Sequence, residues 1–170
     1  MKNLKQITLT ILTLFTVLAL VACGEAARAQ QATKITITAH DYSYHAPAQV
    51  KAGLVSITLE NEGQEPHHVQ LARLNDGVSV EKFQAALQQS PEAALSLVTW
   101  AGGPGVIDFG GSQEVTMELV AGTYMLLCFI PSPDGVPHLA KGMVASFEVV
   151  DDETSSDAQP PPGRGGGRDG

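Results

Sequence analysis

Short stretches in which every second residue is apolar, separated by Gly- and Pro-bearing turns, recur along the chain and constrain its fold most. Ile35 and Ile37 alternate with Thr36 and Thr38, the period of a half-buried strand. Val55, Ile57 and Leu59 alternate with Ser56 and Thr58, after Gly53 and before the turn signal Asn61-Glu62-Gly63. Val69 and Leu71 continue the pattern after Pro66, and Val115, Met117 and Leu119 repeat it between Gly110-Gly111 and Ala121-Gly122. Tyr124 to Phe129 is a continuous apolar run, which predicts a strand buried on both faces. Met143 to Val150 supplies the last strand. Six short strands joined by such turns predict an all-β sandwich.

One segment departs from that period. Val80, Phe83 and Leu87 are spaced for a helix, with Ser79 as its N-cap. Ser90-Pro91-Glu92 then starts a second helix, with serine as cap, proline at the first helical position and an acid in the first turn. Residues 79–98 are therefore expected to be a helical insertion packed on the sandwich. Gly102-Gly103-Pro104-Gly105 is a tight loop; no Lys-Ser/Thr pair follows it, so it is not a phosphate loop.

The ends are of a different character. Lys2 and Lys5 precede an apolar run from Ile7 to Ala22, too short and too threonine-rich for a permanent span. Residues 1–22 therefore read as an export signal peptide. Leu20-Val21-Ala22-Cys23-Gly24 resembles the lipobox of bacterial lipoproteins, which implies cleavage before Cys23 and lipid attachment to its sulfur. Ala27-Arg28-Ala29 offers a competing site for ordinary signal peptidase and a soluble product, but it lies far from the apolar run. Residues 23–33 form a linker and residues 34–150 the folded domain. Residues 151–170, acidic and then Pro/Gly-rich with almost no apolar side chain, form a disordered tail. The whole chain carries 18 acids against 10 Lys+Arg. That balance argues against nucleic acid as a partner, because phosphate binding needs a basic surface.

The two cysteines, Cys23 and Cys128, exclude a disulfide-rich scaffold, and processing leaves Cys128 without a partner. Cys128 lies near the end of the buried strand. His138 follows with Cys-x9-His spacing and Met143 with His-x4-Met spacing, while His67 and His68 lie upstream where a turn enters a strand. Thiolate, imidazole and thioether together suit copper, and two histidines, a cysteine and a weak axial methionine form the blue-copper electron-transfer set. Placed on a rigid sandwich, such a set changes little on electron gain, so the barrier to transfer is low.

With these residues in order, the segment of about 34–150 resembles the cupredoxins, the plastocyanin-like type 1 blue copper proteins. Asn61 to Val69 is similar to the family's first-histidine turn, Gly122-Thr123-Tyr124-Met125-Leu126-Leu127-Cys128 to its cysteine strand, and His138 to Met143 to its His-x4-Met segment. The resemblance implies a cupredoxin-like Greek-key β-sandwich with a short helical insertion. It also implies one type 1 copper ion held by His67, Cys128 and His138, with Met143 axial. His67 takes the ligand role because it directly follows Pro66; His68 then stands where an asparagine often fixes the loop. The nine residues between Cys128 and His138 exceed the family's usual loop, and Pro131, Pro133 and Pro137 stiffen them.

The expected function is single-electron transfer at the exported side of a bacterial membrane, with a lipid anchor at Cys23. Val136, Pro137, Leu139 and Ala140 are expected to form an apolar patch around His138 on which a redox partner docks. A copper-binding or delivery lipoprotein without a redox role is the alternative, and a metal-free binding domain of the same fold is a third. In that third reading Cys128 and Met143 are inert core and His138 a surface residue. His40 and His45 read as strand-edge surface residues. A Cys128–His138 nucleophile pair is the one enzyme reading, and a buried strand suits it poorly; no enzymatic activity is expected.

Overall fold

A computed structural model describes residues 31–151. Cys23, the signal peptide, most of the linker and nearly all of the tail lie outside the described residues. Among the described residues nine strands form two facing sheets. The first contains β1 (Thr33–His40), β2 (Ser43–His45), β4 (Gly53–Asn61) and β7 (Ser112–Leu119), in the order β2-β1-β4-β7. The second contains β3 (Gln49–Lys51), β5 (Gln70–Leu74), β6 (Val98–Gly102), β8 (Gly122–Leu127) and β9 (Val144–Val150), in the order β3-β9-β8-β5-β6. Strands β1 and β4 run parallel, as do β3 and β9; the other pairs are antiparallel.

The β-sandwich is the one expected, with three more strands than the six read from the sequence. The extra strands β2, β3 and β6 are all sheet edges. The apolar run also ends its pairing earlier than expected, at Leu127, and Val69 and Met143 lie just outside β5 and β9.

Strand β8 is buried on both faces for a definite reason. Tyr124, Leu126 and Cys128 point into the core between the sheets, with Ile37, Leu59, Leu71, Met143 and Phe147. Met125 and Leu127 point the other way, into a second cluster with Ala72, Phe83, Ala94 and Leu139. That second cluster is where the helical insertion seats. Helix α1 (Val80–Gln89) is capped by Ser79, whose side chain accepts from the Lys82 amide; α2 (Pro91–Leu95) is capped by Ser90, which accepts from Ala93. Phe83 is fully buried and anchors the insertion on the outer face of the second sheet. Among the described residues no helix is long and apolar enough to cross a membrane.

Candidate metal centre

Two loops at one end of the sandwich build the site. The first leaves β4 at Asn61, which is almost fully buried. Its side-chain amide donates to the carbonyls of Glu65 (2.9 Å) and Ile107 (3.1 Å), while its oxygen accepts from the Gly63 amide (2.9 Å). The Asp41 carboxylate accepts from the amides of Gln64 and Glu65 from the other side. His67 is then clamped through its backbone, donating to Ile107 O at 3.1 Å and accepting from Ile107 N at 2.9 Å. These bonds fix where its imidazole emerges.

The second loop carries Cys128 and His138. Its nine intervening residues fold into a small hairpin rather than a slack loop. Pro131 faces Pro137 in an antiparallel bridge, and Ser132 N donates to Val136 O. Gly135, at φ +80°, turns the chain in the left-handed region that favours glycine. Below the hairpin, His138 N donates to Ile130 O at 2.9 Å and Leu139 N to Cys128 O at 2.7 Å. The pinched base brings His138 back beside Cys128. A one-turn 3-10 helix, His138–Lys141, follows, and Met143 N donates to His138 O.

The expected ligands His67, Cys128 and His138 are brought together, and all three are buried. One ligand atom from each lies within 4.8 Å of the other two. The Nδ1 atoms of His67 and His138 are 3.1 Å apart, and Cys128 Sγ is 3.4 Å from His138 Nδ1. Met143 is also fully buried and belongs to the same core cluster as Cys128. His40 and His45 are exposed, on β1 and β2.

The outer nitrogen of each central imidazole meets a carboxylate. His67 Nε2 lies 2.8 Å from Asp41 Oδ1, and His138 Nε2 lies 2.8 Å from Glu65 Oε2. Ionised carboxylates only accept, so each Nε2 carries the hydrogen. Both Nδ1 lone pairs, together with the thiol sulfur, then face one point. At 3.1 Å two lone pairs repel unless a positive centre lies between them. Holding a ligand histidine through its other nitrogen is also how metal sites fix tautomer and raise ligand basicity. The donor set and its orientation therefore fit a soft, thiolate- and imidazole-loving ion such as copper.

Charge in the site follows from this wiring. Burial would raise the Asp41 carboxyl, but the Gln64 amide, His67 and the Glu65 amide hold it below its usual range. Glu65 is lowered chiefly by the Tyr42 hydroxyl, which donates to it at 2.8 Å. Burial lowers His67 despite the Asp41 bond, so it is neutral and able to ligate near neutral pH. Burial first, and then its electrostatic interaction with Cys128, push Tyr44 far above the ordinary phenol range. Its hydroxyl donates to the His68 carbonyl.

Sequence reading missed Asp41, Tyr42, Tyr44 and Glu65. Nothing in their spacing relates them to the histidines, and only folding brings Asp41 to His67. His68 takes a specific place: its Nε2 accepts from the Phe129 amide at 2.8 Å, tying the first-histidine turn to the residue after Cys128. His138 lies deeper than a docking patch centred on it implies. It is fully buried, with Tyr42 edge-on at 5.0 Å, beneath the exposed Val136, Pro137 and Ala140; Leu139 is buried with it.

No protein-family profile matches the chain, and no curated protein matches it. Among solved structures it is similar to reduced auracyanin from Roseiflexus castenholzii, at 20% identity and a TM-score of 0.47 over 70% of this chain and 98% of that one. Auracyanin A, a blue copper protein from Chloroflexus aurantiacus, matches at 17% identity and a TM-score of 0.42 over 72% and 100%. Rusticyanin from Thiobacillus ferrooxidans matches at 16% and 0.44 over 69% and 76%.

Proposed function

We propose that this protein is a cupredoxin in which His67 Nδ1, Cys128 Sγ, His138 Nδ1 and the Met143 sulfur would hold one copper ion, which would supply a centre for single-electron exchange. The observation that carries the reading is the pair of facing Nδ1 atoms 3.1 Å apart beside a buried thiol, with a carboxylate oxygen 2.8 Å from the far nitrogen of each ring. Bound copper supplies a centre that cycles between two oxidation states. The chain's residues do the rest: Asp41 and Glu65 orient the rings, Asn61 and the Ile107 bridge hold the first loop, and the hairpin base holds the second. A rigid, buried cage keeps reorganisation small and excludes water. The protein carries electrons and is not an enzyme.

The reading extends to an exported protein anchored by lipid at Cys23, with a redox partner seated on the exposed apolar residues Val136, Pro137 and Ala140. The mass of the mature N-terminal peptide tests the anchor. Adding Cu(II) to the purified protein tests the centre: intense visible absorption is expected, and Cys128→Ser is expected to abolish it. An unchanged spectrum in that variant refutes the assignment. The burial of His138 favours a second reading, copper carriage without a redox role, since it leaves no imidazole edge at the surface. Tight Cu(I) binding with no reaction toward small electron donors would support it.

A further inference from the structure

We propose that the electron enters and leaves through Phe129 and Trp100 rather than through the His138 imidazole. This inference rests on the copper reading above. The His138 ring has no solvent-facing atom, and its outer nitrogen is engaged by Glu65. A partner resting on Pro137 or Ala140 is therefore separated from that ring by intervening atoms.

A different path reaches the surface from the sulfur. Phe129 directly follows Cys128, so a continuous covalent route joins the thiolate to the Phe129 ring. Its backbone is pinned by the bond to His68 Nε2. The Trp100 ring stands 6.0 Å from the Phe129 ring, centroid to centroid, in an edge-to-face contact. Trp100 is 48% exposed, so its ring reaches solvent. It lies on the edge strand β6 opposite Ala72, which faces the cluster that also holds Phe129.

In the transfer, the reduced centre loses one electron and a one-electron acceptor gains it. No bond forms or breaks, no proton moves, and neither ring is itself oxidised; their π systems only lower the tunnelling barrier.

The test uses the copper-loaded full chain and tris(phenanthroline)cobalt(III), a one-electron oxidant with aromatic faces, followed by stopped-flow absorbance. Trp100→Ala is expected to slow oxidation several-fold, and Trp100→Phe to restore most of the rate, with visible spectrum and reduction potential unchanged in both. Phe129→Leu is expected to slow it further. An unchanged rate in Trp100→Ala overturns the route. So does a slower rate accompanied by a shifted potential, which means the driving force changed and not the path. A wild-type protein that stays colourless with copper fails the copper reading itself, and the route with it.

Discussion

Gly63 gives the sharpest test of how the first-histidine loop works. Its φ is not in the left-handed region, so backbone conformation does not require glycine there. Space does. A Cβ at this position would stand 2.6 Å from His67 Nε2 and closer still to Asp41 Oδ1, pressed against both atoms of the hydrogen bond that sets the imidazole tautomer. Real carbons do not approach nitrogen so closely, and neither neighbour is a free side-chain end. Asp41 is held by the Gln64 and Glu65 amides, and His67 by the Ile107 bridge. In Gly63→Ala the carboxylate, the ring or both must therefore shift from the positions their hydrogen bond sets. Overpacking of this kind costs about 1–3 kcal/mol of stability. Losing the partner that orients a ligand histidine typically lowers metal affinity by about 10–100-fold. Copper titration in a competing chelator, with urea unfolding of the metal-free protein, measures both. The companion Asp41→Asn removes the charge without adding volume, so it is expected to weaken copper binding with less loss of stability. If Gly63→Ala binds copper as wild type does and unfolds at the same urea concentration, the claim that Asp41 holds His67 is wrong.

Three other outcomes follow from the same wiring. Phe83→Ala should cost about 3–5 kcal/mol in urea unfolding, because Phe83 is fully buried, yet leave the copper spectrum intact because it packs outside the core that holds Cys128; a cost near zero would mean the insertion is not docked. Tyr44→Phe should cost about 1–3 kcal/mol by leaving the His68 carbonyl without its donor, read by the same assay. His68 is pushed below its ordinary value of 6.5 by burial first and then by its electrostatic interaction with His138 and His67. The unfolded chain then binds a proton that the native state refuses, so metal-free stability is expected to fall as pH drops from about 6.5 toward the folded value. His68→Gln should flatten part of that slope, and an unaltered slope would refute the assignment.

The legible strands were those with a long apolar period. Strands β1, β4, β7, β8 and β9 bury alternating or continuous apolar residues, and burial writes itself into sequence as period. The strands that escaped notice, β2, β3 and β6, sit at sheet edges. There one side faces solvent, the pairing is short, and residues such as Ser43, Gln49 and Thr99 carry no apolar rhythm. The grouping of His67, Cys128 and His138 was legible for a chemical reason: an unpaired cysteine and histidines at these spacings have few other uses. Asp41 and Glu65 were not, since acids at a turn are ordinary and only the closed fold places them behind the rings. His68 was read as a departure at a loop-fixing position. In the structure Asn61 fixes that loop, and His68 instead joins the loop to the cysteine strand.

Loop length alone was the wrong measure of the second loop. What matters is the separation of its ends, and Pro133-Asp134-Gly135 is a turn sequence that closes a hairpin. The ends are set by the base, where Leu139 N meets Cys128 O and His138 N meets Ile130 O. This division predicts that the tip and the base respond differently to damage. Gly135→Ala places a side chain at φ +80°, which costs about 1–2 kcal/mol, and the added methyl meets open space rather than the ligands. The expected result is lower stability in urea with the visible copper absorption preserved. A variant that stays folded but loses that absorption would show that the hairpin tip, and not its base, holds His138 beside Cys128.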